Sequence, residues 1–332
     1  VVDRADELAE FLAIYWKDGR CPLSAQVKKG LALAFRKFSA YQLAKYNRDE
    51  AIKLRDVLFL CHAKPKDKEQ EATWKKLVDK TLPPPDTWEV ELSAGKDKSE
   101  VFTRLMKEGK LGALALLRNL RNMEQARVDP LLIKESLASM KTDKIFTFRF
   151  IAAARHAPAM ESAIEVAMLR GLAGEQKLEG ATTLLVDVSG SMVCELSEKS
   201  DMQRMDAGAG LAVLLRELCE DIRIFSFSSG LARIPDRHGF ALRDAVVNSQ
   251  SHTSTHLGAA LEGCHMGMTD RLIVITDEQS HDRVPAPTNR MPGRAYVINV
   301  ASAKNGVGYG PWVHVDGFSE AVVRWINEYE AS

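Results

Sequence analysis

One aspartate and two serines at alternate positions are the residues of this 332-residue chain whose types and spacing most suggest chemistry. Asp187, Ser189 and Ser191 lie in TTLLVDVSGSM (182–192), where a run of apolar and β-branched residues ends. Carboxylate and hydroxyl oxygens are hard ligands that suit Mg²⁺, which prefers near-octahedral oxygen coordination at about 2.0–2.1 Å. The spacing therefore predicts a loop that offers several oxygens to a divalent cation.

Two later segments offer oxygens of the same kind. Threonines precede a helical pattern in HTSTHLGAAL (252–261), and Asp277 follows the apolar run RLIVIT (271–276). In open α/β sheets, ligands bind beyond the carboxyl ends of the strands, so these side chains are expected at one sheet edge. We predict a weak site for Mg²⁺, or another divalent cation such as Mn²⁺, that leaves one position open for an acidic group. Its residues are Asp187, Ser189, Ser191, Asp277 and a threonine of the loop that precedes this helical pattern.

The elements that must position these residues change character along the chain. From residue 1 to about 175, apolar residues recur at three- and four-residue steps, which predicts helices throughout. After a predicted linker at 177–181, short β-branched runs alternate with helical patterns, which predicts a mostly parallel sheet covered on both faces. The predicted runs are 182–188, 222–227, 271–276 and 295–300. The predicted fold class is multidomain α plus α/β: a helical-repeat (HEAT-like) solenoid over 1–178, then a doubly wound sheet over 179–332.

Two other interpretations of the serines are open from the residues alone. Ser189 and Ser191 could cap a helix while Asp187 accepts bonds from buried amides, although three segments of matching chemistry favour the metal site. A serine hydrolase would need G-x-S-x-G, and an aspartate stands at position 187 where the first glycine belongs. No acid–base pair or nucleophile–base pair is legible, so we predict that the protein is not an enzyme.

The three segments VDVSGSM, STHLGAAL and ITDEQS resemble the von Willebrand factor A domain with its metal-ion-dependent adhesion site. The resemblance covers 181–332 in the expected order and spacing. It implies that Ser189, Ser191 and Thr255 coordinate the metal directly. It also implies that Asp187 and Asp277 do not contact the metal themselves but hold the groups that do. The usual Gly-Gly-Thr loop is replaced by the residues at 252–255, which include two threonines, and the register of THLGAAL favours Thr255.

A strongly basic region lies in the helical half, although the whole chain has a net formal charge of zero. Residues 17–66 contain twelve lysines and arginines against four acidic residues, a local excess of +8. Such an excess is the electrostatic footprint of a phosphate-binding surface. The predicted nucleic-acid contacts are Lys28, Lys29, Arg36, Lys37, Lys45, Arg48, His62 and Lys64.

The segments at 21–66, 112–123 and 149–168 resemble the TROVE domain of the Ro autoantigen family, in which a von Willebrand factor A domain follows TROVE. The resemblance implies an RNA-binding protein that holds small noncoding (Y-like) or misfolded RNA and RNA single-stranded ends in RNA quality control. It places Lys45 and His62 in the RNA-contacting surface, and it implies an acidic protein ligand at the metal, such as a nuclease or helicase. The first helical repeats of a Ro ring are not recognised, so we expect an open crescent or a ring completed by another chain.

The remaining sequence features concern compartment and competing functions. Five widely spaced cysteines without a CxxC pair predict free thiols in a reducing compartment. No signal-peptide pattern and no apolar run of about 18 residues is found, so we expect a cytoplasmic protein without a membrane partner. The main alternative function is a protein-interaction scaffold that uses the metal site without RNA binding. A chelatase-type subunit that works with an ATPase would explain the second half but not the helices.

Overall fold

The computed structural model describes residues 2–143, 145–197, 201–301, 310–317 and 319–332. It divides the chain into two compact units, Val1–Lys110 and Leu111–Ser332. The predicted domain boundary at residue 178, where helices give way to strands, differs from this division and remains a prediction. Within the described residues, no helix has both the length and the apolar composition that a membrane span requires.

The first unit is built from helices in its described part. Ser24 caps the start of the second helix, because its hydroxyl accepts a hydrogen bond from the Val27 amide at 3.3 Å. The apolar face of that helix packs in the core, where the rings of Phe35 and Trp74 meet edge to face with centroids 5.2 Å apart. The helices are α1 (Glu7–Tyr15), α2 (Ala25–Phe35), α3 (Ala40–Lys45), α4 (Leu54–Cys61), α5 (Lys68–Val78), α6 (Trp88–Ser93) and α7 (Lys98–Lys107).

The second unit starts with four more helices and continues into a six-stranded sheet. The strand order is β3-β2-β1-β4-β5-β6, and every neighbouring pair is parallel except β2 with β3. The predicted fold class, helices followed by a mostly parallel sheet, is confirmed. The helices are α8 (Ala113–Gln125), α9 (Pro130–Ser139), α10 (Thr147–His156), α11 (Glu161–Leu172), α12 (Arg204–Leu218), α13 (Gly239–Val247), α14 (Leu257–Gly263) and α15 (Ala321–Ala331). The strands are β1 (Leu178–Asp187), β2 (Cys219–Phe227), β3 (Leu231–Arg233), β4 (Arg271–Thr276), β5 (Ala295–Asn299) and β6 (Val313–Asp316).

Burial on both faces explains why the central strands were legible in the sequence. All six residues of β4 and all five of β5 are buried, which requires continuous apolar and β-branched runs. The predicted linker at 177–181 was wrong, since β1 begins at Leu178, which pairs with Cys219. The pairing register shifts between Leu178 and Ala181, and Gly180 there has a φ of +83°, which favours glycine.

Carboxylates from distant elements cap two helices of the second unit. Glu320 accepts hydrogen bonds from the amides of Thr147 and Phe148, at 2.6 and 2.7 Å, at the start of α10. Glu165 of α11 accepts a bond from the Phe240 amide of α13 at 2.6 Å. An anion at a helix N-terminus satisfies free amides and interacts favourably with the helix dipole. The helices α10 and α11 are thereby joined to the elements that surround the sheet.

A buried ion pair joins the first residue of β4 to the last helix. The side chain of Arg271 is 2 % exposed and pairs with Glu330, which is 6 % exposed; it also donates to Thr182 Oγ1 at 3.0 Å. Removing one partner of a buried pair leaves the other charge without its main counterion. We expect Arg271→Met to lower the free energy of unfolding by about 3 kcal/mol in urea denaturation followed by circular dichroism.

The control for this prediction is Arg290→Met. Arg290 pairs with Asp270 at 3.7 Å, but its side chain is 56 % exposed. Such a surface pair contributes at most about 1 kcal/mol. Equal losses in the two variants would contradict the role assigned to Arg271.

Candidate metal centre and basic surface

The predicted Asp-x-Ser-x-Ser loop begins where β1 ends. Asp187 is fully buried; its Oδ1 accepts the Ser189 amide at 2.8 Å and its Oδ2 accepts the Thr276 hydroxyl at 2.7 Å. Since Thr276 is the last residue of β4, this carboxylate joins the carboxyl ends of two adjacent strands. Asp187 therefore fixes the loop and lies at the sheet edge where ligands of such sheets bind.

The two serine hydroxyls are spaced as ligands of one small cation would be. Ser189 Oγ and Ser191 Oγ lie 3.2 Å apart, and Ser189 is buried. Two neighbouring ligands of an octahedral ion at about 2.1 Å would be about 3.0 Å apart. The donor set and this spacing fit a hard divalent cation such as Mg²⁺.

The loop before α14 lies against the serine loop. The Gly190 amide donates to the Thr253 carbonyl at 3.1 Å, while the hydroxyl of exposed Thr253 lies 3.4 Å from Ser228 Oγ. Thr255 is buried, and its hydroxyl has no hydrogen-bond partner among the residues that the structure describes. This difference favours Thr255 over Thr253 as the ligand.

Asp277, the last of the predicted residues, follows β4 and is fully buried. Its Oδ1 accepts the Gln279 amide at 3.3 Å, and its Oδ2 accepts a bond from Arg204 Nη1 at 2.9 Å. Sequence analysis missed Arg204, because an arginine at the start of a helix gives no signal of what it contacts. The candidate centre therefore contains a protein cation as well as two carboxylates.

Burial governs the ionisation of Asp187. Loss of water around the carboxyl raises its pKa to about 6, and the neighbouring Asp277 carboxylate adds to that rise. The hydrogen bonds from Ser189 and Thr276 act in the opposite direction by favouring the charged form. Two buried carboxylates in proximity form a site of negative potential that a divalent cation would relieve.

A second group of possible metal ligands follows Asp277 in the chain. One ligand atom each from Glu278, His314 and Asp316 lie within 4.8 Å of one another, and His314 Nδ1 is 2.7 Å from Glu278 Oε1. Asn299 donates to Asp316 at 3.4 Å. An imidazole with two carboxylates could hold a transition metal ion. No sequence pattern indicated this group, because the short strand β6, which carries two of its members, was not predicted.

Lys28 and Lys29 lie within α2, and several of the other basic residues predicted in the first unit lie at or near helix ends. Arg36 and Lys37 follow α2, Lys45 ends α3, and His62 and Lys64 follow α4. His62 ends α4 with a φ of +52° and is exposed, so its imidazole is open to solvent.

One side chain brings two of these helix ends together. Gln70 donates from Nε2 to the Arg36 carbonyl at 3.0 Å, and its Oε1 accepts the Lys66 amide at 3.0 Å. The end of α2 and the segment that links α4 to α5 therefore lie side by side. Basic residues distant in sequence are in this way grouped at one part of the first unit.

Most of the predicted basic residues form no ion pair with an acidic residue in the described part of the chain. Arg48 differs, because it pairs with Asp6 at 3.4 Å and with Glu50 at 3.8 Å. Lys45 Nζ lies 5.8 Å from the ring centroids of both Tyr41 and Tyr46, a cation–π distance. Among the described residues, no carboxylate forms an ion pair with Lys28, Lys29, Arg36, Lys37, Lys45 or Lys64. These six side chains and His62 form what we call the basic surface.

Comparison with known proteins places these features in context. Residues 80–161 match the family model of the TROVE domain. The crystal structure of the Ro (RSR) protein of Deinococcus radiodurans matches with a TM-score of 0.69 and 20% identity, over 98% of this chain and 80% of that chain. An aerotolerance-related membrane protein of Bacteroides fragilis, solved with multiple mutations to serine, matches at 15% identity over 47% of this chain and 89% of that chain; its TM-score of 0.28 supports no argument. No curated protein matches the sequence.

These matches test the predicted resemblance to the Ro family. The family match includes 112–123 and most of 149–168, whereas the basic segment at 21–66 precedes it. At 20% identity the structural likeness establishes the fold, and it extends over nearly the whole chain. The predicted resemblance is confirmed at this level: residues 80–161 match the TROVE model, and the chain has the fold of the Deinococcus radiodurans Ro protein, with helices followed by a mostly parallel sheet.

Proposed function

We propose that this protein binds RNA through the basic surface of its first unit and holds a divalent metal ion at the Asp187 centre. The RNA class is small structured noncoding RNA, or misfolded RNA with single-stranded ends, bound in RNA quality control. The observation that carries the proposal is the set of six cationic side chains without carboxylate partners in the described residues. Cations that the protein itself does not neutralise are available to phosphates.

The helix dipole does not account for these charges. A helix C-terminus carries roughly half a negative charge, and cations near it are stabilised by about 0.3–1 kcal/mol. Arg36 with Lys37 and His62 with Lys64 place two basic groups each at such ends, next to one another through Gln70. The positive charge therefore exceeds what the helix ends offset. Exposed His62 adds a ring that can donate to phosphate or stack on an unpaired base, as RNA recognition often requires.

The metal centre would serve contact with a protein partner. Ser189, Ser191 and Thr255 would hold the ion, and Asp187 and Asp277 would support it. Bound Mg²⁺ or Mn²⁺ supplies a Lewis-acidic position for an incoming carboxylate. We infer a partner that presents an acidic residue, such as a nuclease or helicase, and we infer that the protein itself acts without catalytic turnover. The five cysteines are free thiols, which supports the proposed cytoplasmic location.

Substitution of Lys45 and His62 by alanine tests the proposed RNA binding. We expect a fluorescent RNA hairpin with a single-stranded tail to bind the wild type with an affinity that falls steeply with salt. Lys45→Ala/His62→Ala should weaken binding by about tenfold and reduce the slope of log affinity against log salt by about 1. Fluorescence anisotropy across a salt series measures both quantities.

The matched control is Lys134→Ala/His265→Ala in the second unit. Lys134 is an exposed lysine on α9, and His265 is exposed with a φ of +54°, like His62. This control should bind as the wild type does. Equal losses in the two double variants, or an affinity independent of salt, would reject the basic surface as the RNA site and favour the interaction-scaffold function.

Separate substitutions of the two threonines, Thr255 and Thr253, test the metal centre. Thr255→Val removes the hydroxyl that has no partner among the described residues, and we expect it to raise the dissociation constant for Mn²⁺ by at least about tenfold. Thr253→Val removes a hydroxyl that faces Ser228 and should leave that constant unchanged. Isothermal titration calorimetry measures both. The opposite ranking would move the ligand to Thr253.

The same variants test whether the two sites are independent. Because the metal centre lies in the second unit and the basic surface in the first, Ser189→Ala should weaken Mn²⁺ binding and leave RNA affinity unchanged. An equal loss of RNA and metal binding by folded protein would show that the RNA site has been mislocated.

A further inference from the structure

Arg204 is a basic side chain that forms an ion pair with one of the predicted metal-site residues, Asp277. It is the first residue of α12, where its amide donates to the Cys194 carbonyl at 2.9 Å. Its Nη1 donates to Asp277 Oδ2 at 2.9 Å and lies 3.4 Å from the Ser191 carbonyl oxygen. The guanidinium therefore contacts both the serine loop and the carboxylate of Asp277, which follows β4 in the chain.

The burial of the two partners differs. Asp277 is 0 % exposed, whereas the Arg204 side chain is 22 % exposed. A buried carboxylate is costly without a counterion. Arg204 reaches it from the solvent side, so it can withdraw towards water when another cation takes its place. An interior pair would lack that freedom.

Formal charge shows what this cation does to the centre. For Asp187, Asp277 and Arg204 taken alone, with both carboxylates ionised, the formal charges sum to −1 without metal and to +1 with a divalent ion. Without the guanidinium, the same sum with the ion would be zero. The guanidinium therefore repels the metal ion in a region of low dielectric constant, where like charges interact strongly.

We propose that Arg204 is the resident counterion of the metal centre, which pairs with Asp277 in the metal-free protein and lowers the affinity of the centre for divalent cations. This inference rests on the proposed metal site and adds to it a residue that sets the strength of binding. It also assigns a role to the residual positive charge, which favours an incoming carboxylate over a neutral ligand. Arg204 thereby lowers the affinity for the metal ion and strengthens the attraction of an acidic partner to the metal-bound centre.

The experiment compares the full chain with Arg204→Gln, Arg204→Lys and the control Arg233→Gln. Arg233 is an exposed arginine of the edge strand β3 that forms no ion pair within the described residues. Isothermal titration calorimetry gives the Mn²⁺ dissociation constant of each. Thermal unfolding in EDTA and in saturating Mn²⁺ gives a second readout that does not depend on any activity.

We expect Arg204→Gln to bind Mn²⁺ about tenfold more tightly than the wild type, a coupling of ordinary size. Its melting temperature should be lower in EDTA, because Asp277 has lost its ion pair with Arg204, and should recover in Mn²⁺. Arg204→Lys retains the charge and should stay near the wild type, as should Arg233→Gln. If Arg204→Gln does not fold, Arg204→Met replaces it in the same comparison.

Three results would overturn the proposal. Mn²⁺ affinity that is unchanged or weaker in Arg204→Gln would show that the arginine does not compete with the metal. A melting temperature lowered equally in EDTA and in Mn²⁺ would assign Arg204 a structural role alone. If neither the wild type nor the variant binds Mn²⁺, the proposed metal site itself is wrong. This outcome differs from the first two, in which the wild type still binds Mn²⁺.

The pairing with Asp277 is tested by a double-mutant cycle. In an Asp277→Asn background the carboxylate charge is absent, so Arg204→Gln should cause no further fall of the melting temperature in EDTA. An additional fall as large as in the wild-type background would show that the effect of Arg204 does not run through Asp277, and would also overturn the proposal.

Discussion

The burial of the Asp187 carboxylate at the end of β1 is the constraint on which the candidate centre depends. A carboxylate removed from water must have its oxygens satisfied, and here the Ser189 amide and the Thr276 hydroxyl do so. The first bond turns the chain so that the two serine hydroxyls emerge side by side. The second links the ends of β1 and β4, whose parallel pairing places Asp277, the next residue after Thr276, at the same edge. The positions of the candidate metal ligands thus follow from the hydrogen bonds that protein groups must donate to one buried carboxylate.

The sequence revealed those parts of the second unit that depend on local pattern. Strands buried on both faces require continuous apolar runs, so β1, β2, β4 and β5 were predicted, whereas β3 and β6 are too short to show a pattern. The start of β1 was taken for a linker because Gly180 and its neighbours lack such a run. The ligand residues were found through their fixed spacing. Arg204 was not, because its contact with Asp277 arises from the packing of α12 beside the sheet, which no local pattern encodes.

In the first unit, composition predicted where positive charge accumulates but not which charges are neutralised. Arg48 and Lys45 are three residues apart and look equivalent in the sequence. In the structure Arg48 pairs with two carboxylates. One of them belongs to Asp6, the N-cap residue of α1, 42 positions earlier in the chain. Lys45 instead lies near two tyrosine rings. Pairing between distant segments separates cations that stabilise the fold from cations that remain available to a ligand. Only three-dimensional contacts make that distinction.

The cap that Glu320 places on α10 has a consequence for the synthesis of the protein. The two amides that it satisfies lie 173 and 172 residues earlier in the chain. While the ribosome is still making the sheet, α10 has emerged but its N-terminal amides lack this partner. Closing so long a loop is slow, and native-like intermediates expose surface until it closes. The second unit can therefore complete its fold only after its last helix leaves the ribosome, so a truncated nascent chain would be the form most in need of chaperone protection.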